Sequence, residues 1–131
     1  MRLRIARPVT DLARATAMYC QGLGLHVLGK FENHQGFDGA IVGLPTMPYH
    51  FEFTVCRMHP VSPCPTPEDL IVFYLPARLE WQKTSALMLE AGFKEVASSN
   101  PYWQARGRTF VDYDDYRTVL EQADWQEDEG W

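Results

Sequence analysis

The second half of this chain is a faint copy of the first, and that constrains the fold more than any other feature. Residues 4–8, Arg-Ile-Ala-Arg-Pro, and residues 72–76, Val-Phe-Tyr-Leu-Pro, are short extended runs that each stop at a proline. Pro8 and Pro76 lie 76 − 8 = 68 positions apart. A helix-like stretch follows each run. One ends at Gly24-Leu25 and the other at Gly92-Phe93, and 92 − 24 is again 68. Near the end of each half sits an alternating strand, Tyr49–Phe53 and Tyr116–Leu120, offset by 116 − 49 = 67. Units of this kind cannot bury their apolar faces alone, so the repeat predicts two tandem βαβββ-like modules, an α+β arrangement. Such pairing leaves a concave surface between the halves where a ligand can sit.

Local chemistry predicts the elements within each copy. Arg2–Arg7 alternates Leu3 and Ile5 with arginines and reads as a strand, closed by Pro8, which has no N–H to donate. Thr10 or Asp11 can cap a helix that runs to about Gln21, with Leu12, Ala15, Met18 and Tyr19 as its buried stripe. Gly22 and Gly24 stop it. Strands over Leu25–Phe31 and Phe37–Leu44 flank a polar turn, Glu32–Gly36, and a fourth strand covers Tyr49–Arg57. Module one is therefore residues 1–57. Four prolines, Pro60, Pro63, Pro65 and Pro67, make residues 58–68 an extended linker. Module two, residues 69–123, opens with the apolar strand Asp69–Leu75. A helix over Ala77–Ala91 follows, with Leu79, Ala86, Leu87 and Leu89 available for packing. Then come a short strand Lys94–Ser98, a turn at Asn100–Trp103, and a hairpin of Arg108–Asp112 and Tyr116–Gln122 around Tyr113-Asp114-Asp115. Residues 124–131 read as a loosely held acidic tail.

Composition removes several classes of function. A net charge of −5 argues against nucleic acid, whose phosphates demand clustered Lys and Arg. No apolar run of about 18 residues exists to span a membrane. The N-terminal Met-Arg-Leu-Arg-Ile reads as a strand with no signal h-region after it. Cys20, Cys56 and Cys64 are odd in number and lack CxxC spacing, which argues against a disulfide framework or a cysteine zinc site and predicts a cytoplasmic protein with reduced thiols. Phosphate loops, dinucleotide fingerprints and nucleophilic triads are missing; Gly22-x-Gly24 stands at a helix end, not a helix start.

Four local motifs, in order along the chain, resemble the vicinal oxygen chelate superfamily, which groups glyoxalase I, bleomycin-resistance proteins and extradiol dioxygenases. Pro8–Leu12 resembles its strand-to-helix turn, and Met18–Leu25 its FYxxxLGF-like helix exit. Asn100–Trp103 resembles a common lead-in to the penultimate strand. Phe110–Arg117 resembles the FxDPDGxx turn, with Tyr113 and Asp115 in place of the usual Pro and Gly. The resemblance implies a single domain over residues 1–131 in which two modules curl their mixed sheets around a central cavity. It implies, too, that metal-dependent members hold a divalent cation with inward-facing side chains from the first and last strand of each module. Here those positions are Arg4, Glu52, Val72 (or Leu70, after a slip of two) and Val119. A guanidinium has no lone pair to give, and Val and Leu have no ligand atoms. The expectation is a metal-free cavity. A shifted set, His50, Glu52 and Glu121, is the fallback for a divalent metal and for a lyase, isomerase or dioxygenase activity.

Several residues are candidates for lining that cavity. Arg4 and Glu52 sit between apolar neighbours, so both should point away from the helices and form a charge-assisted pair in place of a metal. Buried fully, that pair would cost about 3–5 kcal/mol to break at one end. His50 shares the face of Glu52, as a ligand or as a hydrogen-bonded histidine at the mouth. Tyr74, on the face of Val72, and Trp103 offer aromatic platforms for a planar or cationic group, or simply fill core volume. Arg117 and Arg106 can supply charge or lie on the surface, and Cys56 reads as packing. His34 and His59 read as solvent-exposed, and His26 carries no signal. The ligand expected is a small apolar or aromatic molecule, held by a homodimer; a scaffold acting only through its dimer interface is the remaining alternative.

Overall fold

The computed structural model describes residues 1–125, so all but Asp124 and Trp125 of the predicted tail lies outside the described residues. The chain forms two compact units, Met1–Cys64 and Pro65–Trp131. They divide inside the proline-rich segment. Unit one runs β1 (Leu3–Pro8), α1 (Leu12–Leu23), β2 (His26–His34), β3 (Phe37–Gly43), β4 (Tyr49–Cys56). Unit two runs β5 (Leu70–Tyr74), α2 (Arg78–Glu90), β6 (Lys94–Val96), α3 (Pro101–Ala105), β7 (Gly107–Val111), β8 (Arg117–Glu121). The sheets are ordered β1-β4-β3-β2 and β5-β8-β7-β6. In each, the first and last strands pair in parallel and the other contacts are antiparallel. This is the βαβββ unit twice over, with α3 added in the second.

The helix ends follow from sequence chemistry. Asp11 caps α1 by accepting the Arg14 N–H at 3.0 Å, and Gly24 closes it at φ 68°. At the end of α2, Gly92 takes φ 103°. The Gly92 N–H bonds Leu89 O and the Phe93 N–H bonds Met88 O, the paired closure that a left-handed glycine permits.

In unit one, Phe51, Phe53, Ala40 and Val42 form the buried sheet face, against Ala15, Met18 and Tyr19 of α1. The Tyr19 ring centroid lies 4.9 Å from Phe53 and 6.1 Å from Phe51. Each such ring contributes roughly 1.5–3 kcal/mol by leaving water. Leu3 does not join them: it stands at the sheet margin and is 57% exposed.

The helix of unit two turns a different face to its sheet than residue type suggests. Leu79 is 80% exposed, Ala86 and Leu89 are also exposed, and only Leu87 is partly covered. The covered stripe is Trp81, Thr84, Ser85 and Met88. Trp81 sets this rotation, because its indole N–H donates to Leu120 O at 2.8 Å. Residues four and seven further on must then face inward. Ser85 is tolerated there because its hydroxyl donates to Trp81 O at 2.8 Å. Arg108 finishes this layer, forked onto Glu95 at 2.9 and 2.6 Å and lying 5.5 Å from the Phe110 ring centroid.

Two predicted turns and one strand end come out differently. β2 continues to His34, so the turn shrinks to Gln35-Gly36, at φ 52° and 88°. The Asp38 carboxylate steadies it by accepting from Asn33 N–H at 2.8 Å and from Arg57. β6 stops at Val96, before the predicted Ser98. Asn100–Trp103 is not a turn but the start of α3, because Asn100 accepts the Tyr102 N–H at 3.0 Å and Pro101 suits a first helical position. The last hairpin is as expected. Asp112 accepts the N–H groups of Asp114 and Tyr116 at 2.9 and 3.0 Å, and Asp115 takes φ 68°.

Two outcomes follow. A left-handed side chain costs about 1–2 kcal/mol, less for Asp than for a branched residue, so stability should rank Asp115→Gly at or above wild type and Asp115→Val below both, the two variants differing by more than about 1 kcal/mol. Urea unfolding checks the order. The Arg108 guanidinium holds the Glu95 carboxyl below its ordinary value. That stabilisation is therefore present above the unfolded-chain value of 4.5 and is lost as pH falls through the lower folded value. Glu95→Gln should flatten the acid limb of the stability profile and leave the neutral plateau lowered.

Candidate functional site

Register decides which side chains share a face. In the β1–β4 pairing Arg4 stands opposite His50 and Ala6 opposite Glu52. Arg4, His50 and Glu52 therefore project from the sheet face opposite to Phe51 and Phe53. Arg4 Nη1 donates to Glu52 Oε1 at 3.1 Å. The expected pair thus exists, but it is not fully buried. The side chains are 47% and 19% exposed. Arg4 lies on an edge strand, where water reaches its guanidinium, so the pair is worth about 0–1 kcal/mol and not the several that full burial would bring.

His50 is half-buried, and its Nδ1 is shielded without a hydrogen-bond partner among the described residues. A shielded ring nitrogen left unpaired costs about 1–3 kcal/mol, so it is a natural place for a ligand atom to bind. The same face continues on β3 through Ile41 and two glycines. A Cβ at Gly43 would stand 3.0 Å from His50 Cβ, and one at Gly39 would overlap the Phe31 ring. Phe31 thus lies flat over a bare stretch of backbone. Sequence reasoning missed Gly39, Gly43 and Phe31; glycines inside a strand run were the signal that a ring or another group comes close.

In unit two, Leu70 stands opposite Arg117, Val72 opposite Val119, and Tyr74 opposite Glu121. All six share a face with Thr109 and Gly107 of β7. Val119 is 0% exposed and serves as packing in this structure, offering a ligand no free surface. Glu121 is buried as well, and its Oε1 would lie 2.6 Å from a Cβ on Gly107. The Thr109 hydroxyl is buried without a partner among the described residues. Tyr74 is half-buried. Arg117 Nη1 donates to Ala97 O at 3.3 Å and borders an open recess of about 250 Å³ with Pro65, Thr66, Pro67, Val111 and Asp115. Trp103, on α3, packs edge-on against Tyr102 at 4.8 Å. Its carbonyl, not its ring, is what covers Gly107.

The metal positions do not fit a metal. Arg4 pairs with His50 as Leu70 pairs with Arg117, which makes Leu70 the register counterpart of Arg4 and supports the two-residue slip. Whichever of Leu70 and Val72 is counted, Glu52 alone carries a donor atom. Among the described residues no three His, Cys, Asp or Glu side chains form a group able to hold a metal, and the fallback set His50, Glu52 and Glu121 is no exception. No described helix is long and apolar enough to cross a membrane.

Comparison with known proteins agrees with this architecture. Residues 3–54 match the YycE-like N-terminal domain and residues 68–122 the YycE-like C-terminal domain. The YycE protein of Bacillus subtilis strain 168 is 40% identical over 119 residues, covering 91% of this chain and 86% of that protein. A 2.0 Å crystal structure of a Bacillus subtilis YycE protein superposes with TM-score 0.89 at 37% identity, over 98% of this chain and 93% of that one. Glyoxalase I of Leishmania major shares the fold, with TM-score 0.71 at 18% identity over 94% of this chain and 86% of its own. Two modules, each a βαβββ unit, and these matches together place the chain in the YycE-like family of the vicinal oxygen chelate superfamily.

Proposed function

We propose that this protein binds a small organic molecule without a metal, using the sheet face that carries Arg4, His50 and Glu52 in the first unit; in the second unit Val72, Tyr74 and Arg117 share a face that is a candidate in its own right. The observation that carries the reading is the Arg4–Glu52 contact of 3.1 Å. It puts a guanidinium where the superfamily's metal-dependent members place a ligand, and it engages the one carboxylate at those positions. The pair is half wet, so a ligand can reach its remaining donors and acceptors. The unpartnered His50 Nδ1 adds a polar group beside it. The polar trio can set a ligand's orientation on its own face, and the apolar and aromatic side chains of the second unit's face suit a flat or apolar body. Val119 belongs to the wall and not to direct contacts, since it has no exposed surface, while half-buried Trp103 stays a candidate platform. The chain is read as cytoplasmic and without nucleic-acid partners, as its net charge of −5 and free thiols favour, and as a homodimer.

The test has two arms. Elemental analysis of the purified protein is expected to find no stoichiometric Zn, Ni, Mn or Fe. About one metal per chain, lost on changing His50 or Glu52, would replace this reading with a metal-dependent lyase, isomerase or dioxygenase. A thermal-shift screen with small aromatic compounds and with divalent metals forms the second arm. A ligand at 100 times its Kd stabilises the native state by about 2.7 kcal/mol, and the shift should shrink in Arg4→Ala for a ligand on the first unit's face or in Tyr74→Ala for one on the second's.

The pair itself is open to a double-mutant cycle. Arg4→Met, Glu52→Leu and the double variant should give a coupling energy below about 1 kcal/mol. A coupling of several kcal/mol in urea unfolding would show that the site is dry in solution and that the pair is structural.

A further inference from the structure

We infer that the groove beside β2 is where a second copy of this chain docks, edge to edge across a two-fold axis near Phe31. This names a surface for the homodimer reading above and rests on it. β2 is the outer strand of its sheet. Between it and α1 runs an open groove of about 450 Å³, walled by small and apolar groups such as Ala13, Ala17, Val27, Phe31 and Ala40. Val27 and Leu28 stand 43% and 40% exposed on this edge. Cys20 lines the groove too, with its thiol pushed up by burial and pulled down by Lys30, so it reads as wall and not as a nucleophile.

Charge selects the occupant. Lys30 and Glu32 both line the groove, on either side of Phe31. Their charges cancel, which leaves no net field for an ionic small molecule. The pattern is self-complementary instead. Two antiparallel β2 strands centred on Phe31 would set Lys30 of each copy opposite the partner's Glu32, giving two ion pairs from one repeated patch. Glu32 also feels the Arg57 charge on its own chain, which does not alter that pattern. The register shifts at Val27/Gly29 and Phe31/His34 leave only Gly29–Phe31 regular. So short an edge suits a closed pair held by side chains, and not open-ended strand addition.

Sedimentation equilibrium of the whole chain tests this, with circular dichroism confirming that each variant is folded. The wild type is expected to dimerise. Lys30→Glu and Glu32→Lys each set like charges opposite one another at two places, and each should weaken the dimer about ten-fold. The double change Lys30→Glu with Glu32→Lys should restore it to within about three-fold of wild type. A monomeric wild type at every concentration overturns this surface and the dimer reading together. A dimer that neither single change weakens overturns the surface alone, as does a double change that fails to rescue.

Discussion

The parallel pairing of first and last strand within each unit is the constraint on which the rest depends. In unit one it sets Ile5 beside Phe51 and Arg4 beside His50, so a single register builds both the aromatic core and the polar face. A slip of one residue would exchange them, carrying Phe51 and Phe53 into water and Arg4 onto α1. The core therefore guards the site: the burial of Phe51 and Phe53 is worth more than anything the Arg4–Glu52 contact supplies. In unit two the same pairing aligns Val72 with Val119, on a face where Val119 and Glu121 are buried while Val72 and Tyr74 stay half-covered.

How legible this was depended on the kind of signal. Prolines and glycines at matching offsets located the repeat, and their backbone demands are met where expected, with positive φ at both Gly24 and Gly92. Alternation in β1 and β4 was enough to pair Arg4 with Glu52. The face of α2 was misjudged because leucines were counted and a hydrogen bond was not: Trp81 anchors the helix to Leu120 O and carries Ser85 inward with it. Burial at Arg4 was overestimated for a related reason. Alternation tells which way a side chain points, not how far water follows it along an edge strand. α3 was hidden since Asn100-Pro101 starts a turn and a short helix equally well.

The superfamily fold is present in this chain, and on the proposed reading the metal chemistry associated with it is not. The fold needs apolar strands, glycine stops and the last hairpin, all of which are present. The chemistry needs donor atoms at four positions, and only Glu52 has them. Fold likeness to glyoxalase I at 18% identity thus speaks to architecture and not to chemistry.

The indole of Trp81 has a practical consequence. All four tryptophans, Trp81, Trp103, Trp125 and Trp131, lie in the second half of the chain, and unit one has none. Trp81 is fastened to a strand carbonyl and lies 6.0 Å from the Arg108 guanidinium, so its emission senses the docking of α2 on its sheet. Tryptophan emission therefore watches one module alone, whereas tyrosine signals come from both, from Tyr19 and Tyr49 in the first and from Tyr74, Tyr102, Tyr113 and Tyr116 in the second. One half of the repeat thus carries a built-in optical label that the other lacks.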